Sequence, residues 1–250
     1  MSLKIDLHTH TSGDPIDGYI RHSPRDLVNR AIGQGYGALA ITHHTQVFHD
    51  PDLRKYAEDN GLILIPGMEA NVNGKHVLLY CDNDDPVIEE LNARSREARG
   101  NLNFDQAARL KDDGLARLVV AAHPYFMLPY CLGRDLVAER HLFDFVELSW
   151  YHTGIELPVS LAGLNMLNRN QKARLVAGKL GLPTLSTSDT HYLGNFGRAY
   201  STVDAEPDLE SILKVLQSKD QTKVTAVSSP MRVKRYMKAA VRIMSTIFPR

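Results

Sequence analysis

The sequence LKIDLHTH at residues 3–10 combines the two features that recur along this chain, an apolar run and residues able to bind a metal. Its first part, Leu3–Leu7, is typical of a short buried β-strand. His8 and His10 follow, and because residues two apart in an extended chain point to the same side, their imidazoles project together. Asp6 shares that face, so we expect its carboxylate to accept the outer N–H of one of these histidines.

Other apolar runs predict further strands. Together with the first, the predicted strands are Leu3–Leu7, Ala38–Thr42, Leu62–Ile65, Val77–Tyr80, Leu118–Ala122, Phe143–Leu148 and Thr184–Thr187. Five of them lead into histidine or acidic residues, which are His8 and His10, His43 and His44, Glu69, His123, and Asp189 and His191. Barrels of parallel strands build their sites from the carboxyl ends of the strands, so we expect these residues to meet at one end of the molecule.

Segments of helical periodicity separate the strands. Pro24–Gly35 begins with proline and ends with glycine, and Leu27, Ala31 and Ile32 lie on one face of the predicted helix. Asn168–Gly181 is a second predicted helix that ends on glycine. Because buried strands alternate with helices, the sequence predicts a single α/β domain of parallel βα units that closes into a barrel.

Size and composition exclude several classes of protein. The chain has 250 residues, 43% of them hydrophobic, with 29 basic and 29 acidic side chains and a formal net charge of zero. This globular composition argues against a disordered chain, and the length is typical of a barrel. No apolar run reaches the roughly 20 residues of a membrane span, and residues 1–8 show no secretory signal pattern. The two distant cysteines, Cys81 and Cys131, predict reduced thiols in a cytoplasmic protein.

A single histidine or acid at a strand end would not indicate a metal site. The whole set of these residues, which includes one histidine that precedes a strand, does indicate one. The set is His8, His10, His44, Glu69, His76, His123, Asp189 and His191. Nitrogen and oxygen ligands without a thiolate suit zinc, manganese or iron. Because this set exceeds what one ion can bind, the sequence predicts two or three divalent metal ions.

Five motifs carry a resemblance to a known family. They are DLHTH at Asp6–His10, TxH at Thr42–His44, GMEA at Gly67–Ala70, AHP at Ala122–Pro124 and SDTH at Ser188–His191. In type and order they resemble the successive motifs of the PHP (polymerase and histidinol phosphatase) superfamily, from Leu3 to about Val203. The resemblance implies a distorted (β/α)7-type, TIM-like barrel with a trinuclear metal centre at its carboxyl end, which hydrolyses phosphate esters.

The resemblance also implies which residues bind each metal. His8, His10, Glu69 and Asp189 correspond to the ligands of the first ion. Glu69 bridges to a second ion that His76 and His123 complete, and the third is held by His44, His191 and a residue of the first loop. Both Asp17 and His22 could supply that last ligand, and we favour Asp17.

One position departs from the family pattern. Relatives commonly read Thr-Asp-His where this chain reads Thr42-His43-His44. Because neighbouring residues of an extended chain point opposite ways, we expect His44 to be the ligand. His43 then either tunes the metal site or packs in the interior.

The function implied is hydrolysis by hydroxide formed from metal-bound water. Glu69, Asp189 and Arg198 are the predicted catalytic residues; Arg198 is the first candidate to clamp the phosphate and Arg134 the second. We favour a small phosphomonoester resembling histidinol phosphate, because little chain separates His76 from His123. A nucleotide or short oligonucleotide, cleaved by a phosphodiesterase or exonuclease, is the alternative substrate. A non-catalytic metal-binding PHP module is the alternative of another class.

The barrel is predicted to occupy residues 1–228, and the end of the chain is predicted to form a separate element. Residues 229–250 contain basic residues, with Val233, Met237, Ala240, Met244 and Ile247 at helical spacing, which predicts an amphipathic basic helix. We expect it to pack on the same domain or on a second subunit of a homo-oligomer. Contact with an anionic membrane or a nucleic-acid backbone is the alternative.

Overall fold

The computed structural model describes residues 1–126, 129–150 and 169–228. The strands are β1 (Ser2–Asp6), β2 (Ala38–Leu39), β3 (Ile63–Leu64), β4 (Gly67–Val72), β5 (Lys75–Tyr80), β6 (Asn101–Leu102), β7 (Leu118–Ala121), β8 (Phe145–Ser149), β9 (Thr184–Thr187), β10 (Ala199–Asp204) and β11 (Val224–Ser228). The helices are α1 (Pro24–Gly33), α2 (Pro51–Asp59), α3 (Asp85–Glu97), α4 (Phe104–Asp112), α5 (Asp135–Ala138), α6 (Arg169–Leu180) and α7 (Leu209–Gln217).

The helix beginnings follow from local hydrogen bonding. The side chain of Ser23 accepts from the backbone of Asp26, whose carboxylate accepts in return from the backbone of Ser23, and Pro24 occupies the first turn of α1. This confirms the helix predicted from Pro24. The second predicted helix is found as α6; Asn168, where it was predicted to begin, lies outside the described residues, as does the whole basic segment 229–250.

The described strands form two mixed sheets, with the orders β11-β10-β1-β2-β3 and β6-β4-β5-β7-β8-β9. Neighbours β1, β2 and β3 are parallel, and so are β7, β8 and β9, which agrees with the predicted βα units. However, β10 runs antiparallel to β1, and β5 runs antiparallel to both β4 and β7. The α/β class is therefore confirmed, whereas a closed barrel of parallel strands is not.

Two isolated bridges connect the sheets at the end where the predicted site residues lie. Thr9 pairs with Thr190, and His44 pairs with Glu69, each in parallel orientation. Away from that end, Ser201 on β10 accepts from the backbone N–H of Ser186 on β9 at 2.8 Å. The segments that follow β1, β2 and β9 therefore meet β4 at one end of the fold.

A hydrophobic core formed by side chains from both sheets packs against that end of the fold. It includes Leu3, Ile5 and Leu7 from β1 and its extension, and Leu78 and Tyr80 from β5. Although Tyr80 is fully buried, its hydroxyl donates to the carbonyl oxygen of Leu7 at 2.6 Å. This hydrogen bond fixes the backbone immediately before His8. Among the described residues, no helix is long and apolar enough to span a membrane.

Gly67, the first residue of the GMEA motif, lies where no side chain fits. It pairs with Tyr80, and a Cβ atom at Gly67 would lie 2.6 Å from Cδ1 of that ring and 2.9 Å from the carbonyl oxygen of Leu79. We expect Gly67→Ala to lower the free energy of unfolding by about 1–3 kcal/mol, as overpacking usually does. Urea unfolding in the presence of a chelator measures this effect without a contribution from metal.

The control for Gly67→Ala is Gly178→Ala on α6, where nothing lies within 4 Å of the added methyl group. Because alanine is the better helix former, we expect this variant to be unchanged or stabilised by up to about 1 kcal/mol. Equal unfolding midpoints for the two variants would contradict the steric explanation for glycine at residue 67.

Candidate metal centre

Glu69 lies at the middle of the cluster, on β4 with its side chain buried. Its Oε1 lies 2.7 Å from His76 Nδ1 and 3.1 Å from His123 Nε2. Its Oε2 faces three further histidines, at 3.0 Å from His44 Nε2 and 3.3 Å from Nε2 of both His8 and His10. Both oxygens are thus engaged on different sides, as in a carboxylate that bridges two ions.

Asp189 closes the cluster from the strand end after β9. Its Oδ1 lies 3.5 Å from Nε2 of His8 and of His10, and 3.4 Å from Nδ1 of His191. The two Nε2 atoms of His8 and His10 are themselves 3.0 Å apart. The structure therefore brings together the four residues expected to bind the first ion, namely His8, His10, Glu69 and Asp189.

The donor set of this cluster fits divalent cations. In the described part of the chain, four overlapping groups have ligand atoms within 4.8 Å of one another: His8–His10–Glu69, His10–Asp14–His44, His10–Asp17–His191 and His44–Glu69–His76. All of these residues are buried except Asp17, which is partly exposed. Burying so many ionisable groups is unfavourable unless they are paired or coordinate a metal. Imidazole and carboxylate donors without sulfur are typical of zinc, manganese and iron sites.

The structure brings Asp17 to this cluster, and not His22. Oδ2 of Asp17 lies 2.8 Å from His191 Nε2, whereas His22 Nε2 donates to the backbone carbonyl of His10 at 2.8 Å. Oδ2 of Asp17 also lies 3.9 Å from His44 Nδ1, so it is near both histidines that are expected to share the third ion with it. His44 belongs in addition to a group with Glu69 and His76, and Asp17 and His191 to a group with His10.

Asp14 was missed by the sequence reasoning, yet it contacts two candidate ligands. Its Oδ2 lies 3.0 Å from Nδ1 of His10 and 3.0 Å from Nδ1 of His44, and it also accepts the backbone N–H of His44. Burial opposes ionisation of Asp14, but the hydrogen bonds from His10 and His44 outweigh it and hold its pKa well below the ordinary value. Its loop position before Pro15 gave no periodic signal.

Glu147, also missed, takes the role that was predicted for Asp6. Glu147 Oε1 lies 2.6 Å from Nδ1 of His8, so it is this residue that contacts the outer nitrogen of the histidine. Asp6 instead accepts from the backbone N–H groups of His8 at 3.3 Å and Ser188 at 3.1 Å. Because Asp6 is buried, its pKa is raised to about 7. The prediction for Asp6 was therefore wrong, because its carboxylate accepts from backbone N–H groups and not from the N–H of an imidazole ring.

His43 lies outside the cluster. Its Nε2 hydrogen-bonds with the hydroxyl of Thr11 at 2.8 Å, and its ring meets Phe48 edge-on, with 5.3 Å between the ring centres. Burial lowers the pKa of His43 to about 4, so the ring is neutral at physiological pH. These contacts are those of a packed interior residue, while the adjacent His44 faces Glu69.

Arg198 and Arg134, the predicted phosphate clamps, lie in different places. Arg198 directly precedes β10, and because Ser201 pairs with Ile5 in the antiparallel register, Arg198 lies toward the end of β1 that leads to His8. Arg134 is the N-cap residue of α5. The register thus places Arg198 at the end of the sheet where the cluster lies.

Backbone strain coincides with two of the candidate ligands. Among the described residues, His123 has a φ of 23° and Asp189 a φ of 48°, values in the left-handed region that residues with a side chain seldom adopt. Such conformations persist where surrounding contacts enforce them, and they concentrate at functional sites. Each residue lies two positions after the end of a strand, His123 after β7 and Asp189 after β9.

The fold and this cluster define a class of protein. The family profile of the PHP domain matches residues 6–123, and that of the PHP-associated region matches residues 168–220. The chain belongs to the PHP superfamily. The first match includes the candidate ligands from His8 to His123, and the second includes Asp189 and His191.

Particular relatives match parts of the chain. It is 36% identical over 88 residues to the PolC-type DNA polymerase III of Oceanobacillus iheyensis, covering 35% of this chain and 6% of the relative. It is 29% identical over 120 residues to the 5'-3' exoribonuclease of Haemophilus influenzae, covering 46% of this chain and 42% of the relative. The chain thus spans less than half the length of these curated relatives.

A solved structure extends the likeness over the whole fold. PsfC from Pseudomonas syringae PB-5123 superposes with a TM-score of 0.65 at 17% sequence identity, covering 98% of this chain and 99% of PsfC. At this level of sequence identity, the similarity shows only that the two proteins share a fold.

Proposed function

We propose that this protein is a metal-dependent hydrolase of phosphate esters. The observation that carries the proposal is the convergence of buried imidazole and carboxylate groups on the two oxygens of Glu69. We propose that two or three ions of zinc, manganese or iron are held there. Their ligands would be His8, His10, Asp17, His44, Glu69, His76, His123, Asp189 and His191.

The side chains have distinct parts in the proposed reaction. Divalent cations held by these residues would neutralise the charge of a phosphate ester and would lower the pKa of water, which would make hydroxide available at neutral pH. Glu69 and Asp189 would keep the rings of the ligand histidines in position. Arg198 would pair with the non-bridging oxygens of the phosphate. No serine or cysteine nucleophile is needed for such a reaction.

The two sheets form the framework of this proposed site. We propose that they are the halves of a distorted TIM-like barrel, as the PHP resemblance implies. The bridges Thr9–Thr190 and His44–Glu69 support this view, because they join the halves at the end where the cluster lies.

A small phosphomonoester is the favoured substrate. The segment between His76 and His123 contains β5, α3, β6, α4 and β7, and side chains from each of these elements enter one hydrophobic core. This segment is therefore used for the fold itself, which leaves no separate subdomain there to recognise a longer substrate.

A nucleotide or short oligonucleotide is the second candidate substrate. The exoribonuclease relative points to it, and so do two tyrosines beside the cluster. Tyr130, 43% exposed, stacks on His76 with 5.1 Å between ring centres, and Tyr19 lies parallel to His191 at 6.1 Å. Tyr19 is half-buried, and aromatic rings beside a site can stack with nucleobases.

Turnover by manganese-loaded protein tests the proposed function. We expect hydrolysis across a panel of phosphomonoesters, lost when a chelator is added and restored by added metal, with a parallel phosphodiester panel turned over much more slowly. Faster turnover of diesters would favour the nucleotide alternative. Bound metal without turnover of either panel would contradict the hydrolase proposal and favour a non-catalytic metal-binding module.

A further inference from the structure

We infer that Glu147 is a positioning residue that makes His8 a metal ligand through Nε2, a role that rests on the function proposed above. Glu147 lies on β8, in a run of otherwise apolar and small side chains, and it has no exposed surface. A buried acid at such a place needs hydrogen-bonding or charged partners, because burial of an unpaired charge is unfavourable.

Hydrogen-bond donors from three segments enclose the carboxylate of Glu147. Its Oε1 accepts from Nδ1 of His8 at 2.6 Å and from the hydroxyl of Thr187 on β9. Its Oε2 accepts from the backbone N–H of His123 at 2.6 Å. The carboxylate of Glu147 is thus the acceptor in all three contacts.

An acceptor beside Nδ1 determines which nitrogen of His8 carries the proton. A histidine that binds a metal must be neutral, with one N–H and one lone pair, and for His8 in that state the contact with Glu147 places the proton on Nδ1 and the lone pair on Nε2. That Nε2 lies 3.0 Å from Nε2 of His10, 3.3 Å from Oε2 of Glu69 and 3.5 Å from Oδ1 of Asp189. The lone pair thus faces the point where the other donor atoms converge.

The second oxygen of Glu147 supports another candidate ligand. The backbone N–H of His123 points at Oε2, and His123 is held at a φ of 23° although it has a side chain. A short hydrogen bond to a charged acceptor is among the stronger ones and offsets such strain. One carboxylate therefore orients His8, which follows β1 of one sheet, and His123, which follows β7 of the other.

The variant Glu147→Gln tests this role because it preserves shape and removes the second acceptor. An amide can accept from His8 or from His123 but presents N–H groups to the remaining donor. We expect the dissociation constant of the tightest zinc ion to rise about 10- to 100-fold, as when a partner of a ligating histidine is removed. In the zinc-loaded wild type, ¹⁵N NMR should show His8 protonated on Nδ1 and not on Nε2.

Two further variants define the controls. Glu89→Gln on the exposed side of α3 removes the same charge and should leave zinc affinity unchanged. Thr187→Val keeps the contact between His8 and Glu147, so we expect a smaller loss than for Glu147→Gln. Wild-type zinc affinity in Glu147→Gln, with only a lower melting temperature, would overturn the inference, and so would an Nε2-protonated His8. Zinc bound by wild type with these His8 signals but without ester turnover would contradict the proposed function and support the role of Glu147.

Discussion

Replacing Glu69 with alanine is expected to remove bound metal and phosphoesterase activity together. We expect at least about a 10³-fold loss of kcat/KM, because a cation that stabilises the transition state and generates the nucleophile is worth several kcal/mol. Metal content, measured by atomic emission after gel filtration, should fall by at least one ion per chain relative to wild type.

The size of this effect follows from the position of Glu69. Oε1 faces His76 and His123, and Oε2 faces His8, His10 and His44, at distances from 2.7 to 3.3 Å. The charges of these histidines hold the pKa of Glu69 well below its ordinary value although burial opposes this. Alanine therefore removes the anion that all five rings share, and among the described residues no other carboxylate is seen in contact with all five.

Two variants separate loss of charge from loss of folding. Glu69→Gln keeps the volume of the side chain and should still lose metal, whereas Glu90→Gln should behave as wild type. Glu90 lies on α3 and pairs with the surface residue Arg94 at 2.8 Å. Circular dichroism in chelator should show that each variant is folded. If Glu69→Ala retained its full metal content, the proposed coordination would be wrong.

Local sequence pattern predicted most elements that hold the site. The strand before His8, the strand Thr184–Thr187 and helix α1 were predicted because apolar runs, proline and glycine are local signals. Glu69 was predicted as a site residue but placed after the strand that ends at Ile65. The structure has it within β4, a separate strand that begins at Gly67, directly after Pro66.

Sequence reasoning failed where the partner of a residue is distant in the chain. Glu147 contacts His8, which is 139 residues away, and Asp14 contacts His44, 30 residues away. Neither contact leaves a local period. Glu147 did leave one signal, an acid inside an apolar strand, and such a residue requires a buried partner. Strands β4 and β10 were not among the predicted strands. Their antiparallel pairing could not be predicted either, because periodicity within a strand does not reveal the direction of its neighbour.

Metal affinity is expected to rise steeply with pH between about 6.5 and 9. Without metal, burial lowers the pKa of His44, but the charge of Glu69 and the hydrogen bonds with Asp14 and Glu69 outweigh it and raise the pKa to about 9. The pKa values of His8 and His10 are also raised well above their ordinary value by neighbouring acids, against the effect of burial. A histidine must lose its proton from the coordinating nitrogen before it binds a cation, so binding releases protons.

The same histidines are expected to make the stability of the metal-free protein fall as pH rises. A histidine whose pKa is raised by folding contributes stability that is complete below its unfolded pKa of about 6.5. That contribution is lost as pH rises through the folded pKa, about 9 for His44. We therefore expect the melting temperature in chelator to fall across this window, while the stabilisation that added zinc gives increases.

Competition against a chromophoric chelator at pH 6.5, 7.5 and 8.5 measures this coupling. We expect zinc affinity to increase about tenfold per pH unit for each proton displaced, after correction for the chelator's own titration. His44→Gln should reduce the slope, because one titrating ligand is removed, whereas His141→Gln at an exposed position should not. An affinity independent of pH would mean that the cluster binds metal without displacing protons, and the proposed exchange of protons for cations around Glu69 would be wrong.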